Sequence, residues 1–161
     1  MPASTRHAVA VRPAPGGKGL FTTAAFRAGE TVLELDGELR TEADRHSIQV
    51  DVERHLHPHP AALAEGESAP VPWWFLNHSC TPTVRIDGRR VVAVRDLAAG
   101  EPLVFDYDAT EWSLASPFRC GCGACGGRLV RGYGHLDPDE RERRGAYAAE
   151  HLRRRAADGH A

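Results

Sequence analysis

Three of the four cysteines crowd into six residues, Cys120-Gly-Cys122-Gly-Ala-Cys125, while the fourth, Cys80, lies 40 positions upstream. No other feature restricts the fold as much. Cysteines one or two residues apart are poorly placed to bridge each other without strain, and disulfides are unexpected in a cytosolic chain. One tetrahedral ion shared by Cys80, Cys120, Cys122 and Cys125 accounts better for soft ligands gathered this tightly, and zinc is the ion such thiolates suit. The glycines at 121, 123, 126 and 127 give the backbone the freedom to wrap an ion. The spacing differs from the paired Cys-x-x-Cys of zinc ribbons, and four reduced structural thiols are the alternative.

A chain of 161 residues makes one domain, or one domain with a short appendage. Its 20 basic and 22 acidic residues nearly cancel, giving a net charge of −2. That balance argues against a dedicated nucleic-acid binder. No apolar run approaches the ~18 residues of a membrane span, and no apolar segment of signal-peptide length precedes Pro13. The expectation is a cytoplasmic protein with no membrane partner. Lys18 is the single lysine.

Along the chain, residues 1–15 read as an extended lead-in and Gly16-Gly17-Lys18-Gly19 as a flexible loop. Thr31–Leu35 and Ser47–Val52 alternate apolar and polar residues, the mark of half-buried strands. Thr41–Arg45 reads as a helical turn and residues 53–72 as irregular. Within that stretch His55, His57 and His59 alternate, but Pro58 and Pro60 argue for a polar loop rather than a metal face. Asp87-Gly88 between two apolar runs signals a hairpin, and Pro102–Tyr107 a short strand. Asp137 as N-cap, with Pro138 and acids in the first turn, predicts a helix running to about residue 156. Many short strands and few helical periods give a mainly β fold.

Four elements stand in order: Gly17-Lys18-Gly19-Leu20-Phe21, Asn77-His78-Ser79-Cys80, Phe105-Asp106-Tyr107, and the terminal Cys-x-Cys-x-x-Cys. Together they resemble the SET-domain family of S-adenosylmethionine-dependent protein lysine methyltransferases with a post-SET zinc motif. The resemblance covers roughly residues 8–134 and includes two similar turns, Ala28-Gly29-Glu30 and Ala99-Gly100-Glu101. It implies a β-rich α+β fold: a β-clip of small curved sheets with a C-terminal pseudoknot, here followed by a C-terminal helix. It also implies a SET domain at 1–115, a post-SET zinc segment at 116–134 and a helical extension at 135–161. Threading of this kind is rare, and periodicity gives no hint of it.

The resemblance assigns roles residue by residue. Tyr107 matches the catalytic tyrosine and also borders the cofactor. Gly17, Lys18, Gly19, Leu20, Asn77, His78 and Phe118 match the positions that hold S-adenosylmethionine. Phe105 falls in the substrate channel at the position that influences how many methyls are added; a phenyl ring there leaves room for two or three. Cys80 becomes the fourth ligand of a structural zinc, with Cys120, Cys122 and Cys125. The implied partner is a protein or peptide bearing lysine.

The chemistry agrees with that sparse machinery. A lysine amine has pKa ~10.4 and must be neutral to attack. A dry channel and a nearby sulfonium disfavour the ammonium, and alignment supplies much of the rate. With an ordinary pKa of ~10, a tyrosine hydroxyl suits positioning better than standing basicity. The sequence also departs from the family. Only Gly123-Ala124 separate the last two cysteines, where four residues are usual. Trp74 stands where a basic residue often precedes the aromatic. The short insert at 46–72 supplies no second channel tyrosine; the others are Tyr133 and Tyr147. Two other readings therefore stand beside the first: a zinc-stabilised binding module without turnover, and a methyltransferase acting on a small-molecule amine.

Overall fold

The computed structural model describes residues 8–60 and 71–159. The start of the lead-in, residues 61–70 of the insert and the last two residues of the extension lie outside the described residues. Within them the fold is built from small sheets with few helices, as expected.

The sheet that positions the site is mixed. Val9–Ala14 (β1) pairs antiparallel with Gly17–Thr22 (β2) around a turn at Pro15-Gly16, where Gly16 has φ of 83°. The expected loop at 16–19 is thus confined to its first residue, and the extended lead-in is a paired strand. Pro102–Phe105 (β10) adds to the other edge of β2, and Asn77–His78 (β7) runs parallel beside β10. The sheet order is β1-β2-β10-β7. Stretches far apart in sequence, 77–79 and 104–105, therefore lie side by side, and Ser79 N–H donates to Phe105 O at 3.1 Å.

A second sheet orders Thr31–Glu34 (β3), Arg90–Ala93 (β9) and Val84–Asp87 (β8), with the expected hairpin turning at Gly88 (φ 58°). A third orders Glu38–Arg40 (β4), Arg54–His57 (β6) and Ile48–Asp51 (β5). Strand β6 lies inside the stretch expected to be irregular. With Leu56 as its single apolar residue it shows no period, but pairing on both edges satisfies its backbone, and Leu56 is fully buried. Thr41–Arg45 is not helical. Asp44 Oδ1 accepts from His46 N–H and Ser47 N–H, both at 2.7 Å, and bends the chain there instead. One apolar cluster, including Leu20, Val32, Leu56, Val84, Ile86 and Leu103, fills the space between these sheets.

Beyond residue 116 the architecture changes. Phe118–Arg119 (β11) and Leu129–Val130 (β12) form a two-residue ladder flanking the cysteines. The expected single C-terminal helix is two helices, Pro138–Arg143 (α1) and Glu150–Ala157 (α2). Asp137 caps α1 as expected, accepting from Glu140 N–H at 2.9 Å. The helix breaks after Arg143 because the next residues serve tertiary contacts. Arg144 Nε donates to buried Asp106 at 2.7 Å, and Ala149 N–H to Ala109 O at 2.8 Å. A second apolar cluster of Ala109, Tyr133, Ala148, Ala149 and Leu152 seats α2. Among the described residues no helix is long and apolar enough to cross a membrane.

Candidate active site

The mixed sheet and the segment after it enclose a cavity of about 1020 Å³. Gly19, Asn77, His78, Phe105, Tyr107 and Phe118 all line it. Leu20 also borders it, although its side chain belongs to the core. Gly17 and Lys18 do not line it. Lys18 contributes its carbonyl, which accepts from Asn77 Nδ2 at 2.9 Å. The two strands meet closely at Gly19: a Cβ there would lie 3.2 Å from Asn77 Nδ2 and 3.1 Å from Ala14 Cβ.

Tyr107 opens a short 3-10 turn whose N-cap, Asp106, accepts from Asp108 N–H at 3.0 Å. Its ring sits among Phe105, His78 and Phe118, with centroids 4.6, 5.2 and 5.8 Å away. Its hydroxyl donates to Leu76 O at 2.8 Å. Burial, and then the carboxylate of Glu111, push the phenol well above the ordinary tyrosine range, so it stays protonated.

His78 joins this ring cluster to the cysteines. Tyr107 N–H donates into its Nδ1 at 3.1 Å, which requires a lone pair there and leaves the neutral ring's proton on Nε2. Nε2 lies 3.5 Å from Cys80 Sγ. Burial holds His78 down to about 4, against the pull of Asp106 and with help from Arg128 and Arg144.

Cys80, Cys120, Cys122 and Cys125 bring their sulfurs within 4.8 Å of one another. Cys80 and Cys120 are 3.7 Å apart, Cys122 and Cys125 3.9 Å. Four thiolates at ~2.3 Å around a tetrahedral zinc would be about 3.8 Å apart, so the donor set fits that ion. The short Gly123-Ala124 spacing is no obstacle, because Gly123 turns with φ of 80°. Behind the cluster stands a charge network around buried Asp108 that motif reading missed. Arg128 Nε donates to Cys80 Sγ at 3.4 Å, and its guanidinium pairs with Asp108 and with Glu140 (3.2 Å). Asp108 Oδ1 also accepts from Arg131 N–H and Gly132 N–H, at 3.1 and 2.6 Å. The histidines that alternate in sequence face three separate carboxylates rather than one ion. His57 lies 3.2 Å from Asp44, His55 3.6 Å from Glu111, and His59 3.5 Å from Asp36.

Glu111 is a further cavity residue that motif reading missed. Its N–H donates to Tyr107 O at 2.9 Å, one turn after the tyrosine. Its Oε1 accepts from Gln49 N–H at 2.8 Å. Burial pushes its carboxyl up to about 8. The available sequence signal was its place four residues past Tyr107.

Residues 17–108 match the family model for the SET domain. The chain belongs to the SET-domain family. Over 54 residues it is 41% identical to "Methyltransferase flvH" of Aspergillus flavus, a stretch covering 31% of this chain and 30% of that protein. Over 122 residues it is 33% identical to an H3 lysine-36 specific histone-lysine N-methyltransferase of Aspergillus oryzae, covering 66% of this chain and 12% of the relative. An H3 lysine-4 specific enzyme of Schizosaccharomyces pombe is 36% identical over 63 residues, covering 34% of this chain and 7% of its own length. The chain thus spans under a third of the length of each of these relatives. The SET match takes in Gly17–Leu20, Asn77–Cys80 and Tyr107, whereas Cys120, Cys122, Cys125 and Glu111 lie beyond its end.

Proposed function

We propose that the protein transfers methyl groups from S-adenosylmethionine to the amine of a lysine side chain in a protein or peptide. The observation that carries this reading is Tyr107, half-buried with its hydroxyl fixed on Leu76 O in the cavity that Gly19 and Asn77 also line. The histone-lysine methyltransferases among its relatives support the acceptor class.

S-adenosylmethionine fits the residues present: the cavity is large enough for a nucleoside ligand, and the bare Gly19 backbone leaves room beside Asn77. When bound, the cofactor supplies a methyl group on a positively charged sulfur. Gly19, Asn77, His78 and Phe118 hold it, with Gly17, Lys18 and Leu20 shaping the strand from behind. Tyr107 spends its proton on Leu76 O, so its oxygen lone pairs face the acceptor and take a hydrogen bond from the amine N–H. That hydrogen bond aligns the nitrogen for in-line displacement. Phe105 adds no hydroxyl, which leaves space for an amine already methylated.

Zinc at Cys80, Cys120, Cys122 and Cys125 has a structural role. It would fasten the 116–134 segment, and Phe118 with it, along one wall of the cavity; Glu140 and Arg144 of the helical extension brace Arg128 and Asp106.

A labelled-cofactor assay on lysine peptides, histone H3 and n-butylamine tests the reading. Wild type should label peptide or protein, and Tyr107→Phe should be at least 100-fold slower. Label on n-butylamine alone reassigns the acceptor to small amines. Label on nothing leaves a binding module.

A further inference from the structure

The reading above leaves one step without an agent: removal of a proton from an amine of pKa ~10.4. Glu111 is placed for it. The residue lines the cavity, one turn from Tyr107 along the backbone. Its Oε1 is anchored on Gln49 N–H. Among the described residues the cationic candidate for its Oε2 is His55 Nδ1 at 3.6 Å, beyond hydrogen-bond reach, and that nitrogen is itself buried without a hydrogen-bond partner there. A purely structural anchor needs no charge here, since a glutamine would accept the Gln49 bond without the cost of burying a carboxylate.

Resting on the proposed methyl transfer, we propose that Glu111 receives the substrate's ammonium group and takes one of its protons. The N–H bond breaks, an O–H bond forms on the carboxylate, and the electron pair stays on nitrogen. That pair then forms the new N–CH3 bond as the S–CH3 bond breaks, its electrons leaving on sulfur. The product is a methylated ammonium, and Glu111 releases its proton to solvent before the next turnover.

The surroundings make the protonation state readable. Around Glu111, His55 Nδ1 of β6 lies 3.6 Å from Oε2, Asp44 and Tyr107 interact with it electrostatically, and Arg45 and His46 from the bend before β5 share its cavity wall. Burial first, then neighbouring cations, push His46 and His55 below the usual histidine range; burial also lowers His151, which interacts with His55, against the opposing hydrogen bond with Thr110 O. Against the opposing effect of burial, Asp44 is held low by the N–H groups of His46 and Ser47. Tyr107 is pushed the other way, and arginine stays charged throughout. Of these groups, Glu111 is the one left to titrate near 8.

Glu111→Gln preserves the Gln49 bond and tests the assignment. Binding of S-adenosylhomocysteine, measured by calorimetry, should equal wild type. Binding of n-butylamine to that complex at pH 7 should weaken at least tenfold. With a methylated acceptor, kcat/KM of the variant at pH 7 should fall about 100-fold. The deficit should shrink as pH rises towards the amine's own pKa, where neutral amine no longer needs a base. A loss equal at every pH, or no loss, overturns the assignment while leaving methyl transfer intact. The wild-type profile gives a reading that needs no variant. A limb near pH 8 supports Glu111, and an unbroken climb towards ~10.4 overturns it. Wild type that neither binds S-adenosylhomocysteine nor methylates any acceptor overturns the function itself.

Discussion

The sheet-built body and the segment after residue 116 are held together by different physics. In the body, hairpins and short sheets enclose one apolar cluster, with Leu20, Leu103, Ile86 and Leu56 essentially inaccessible. In the cap the buried apolar cluster is small, and the work falls to thiols, a helix cap and arginine–carboxylate pairs. Burial is non-directional and roughly additive with area, so the body should lose stability in proportion to what is removed. Buried charges and metal sites fail abruptly, because removing one partner strands the other. The cavity lies on the seam between the two, with Gly19 and Asn77 from the body and Phe118 and Cys122 from the cap.

The sharpest way to break this contrast is to remove the ion. Chelation of zinc-loaded protein, or Cys120→Ser, should cut methyl transfer more than 100-fold. It should also open Arg119, Arg128 and Arg131 to trypsin while the body keeps its far-ultraviolet signature. Collapse of body and cap together would show that the body does not stand alone. Next in size is Arg144→Met, which leaves Asp106 buried and unpaired. A cost of about 3–5 kcal/mol is expected, seen in denaturant unfolding of the segment around Tyr147. Leu103→Ala should cost about 3 kcal/mol by cavity formation, spread over the whole unfolding transition.

The last comparison reverses sign. Glu111 titrates near 8 when folded, against an ordinary 4.5. Between those values the folded state binds more protons than the unfolded chain. Wild-type stability should therefore fall as pH rises through that window, and Glu111→Gln should not share the fall. By pH 8 the variant should be more stable by about 2–4 kcal/mol. Urea denaturation at pH 5 and pH 8 measures it, and a variant weaker at both would mark Glu111 as a structural tether instead.

Legibility followed the local signals. Strands β3, β5, β8 and β9 showed in alternation and in Asp87-Gly88. Strands β4 and β6 did not, because each carries a single apolar residue, Leu39 or Leu56, which cannot set a period, and their stability comes from neighbours. The gathered glycines and the Asn77–Cys80, Phe105–Tyr107 and cysteine motifs marked one part of the cavity wall, and the stretches 44–48 and 114–117 that complete it carried no motif. Gly17 and Lys18 belonged to the same motif, yet the strand turns them away from it. The C-terminal helix was read from a true cap at Asp137, but its length was set by Arg144 and Ala149, whose partners lie some forty positions back.

By itself, the sequence determined the family, the mainly β character, the tyrosine and the set of four thiols, because each is written in residue types at short spacing. Tertiary structure decided the rest: that the cysteines converge to within bonding reach of one ion, that His78 faces both Tyr107 and Cys80, and that Glu111 is buried beside the site. Those facts depend on contacts between segments distant in the chain. A carboxylate's solvation in particular is fixed by what surrounds it, which no neighbour in sequence reveals.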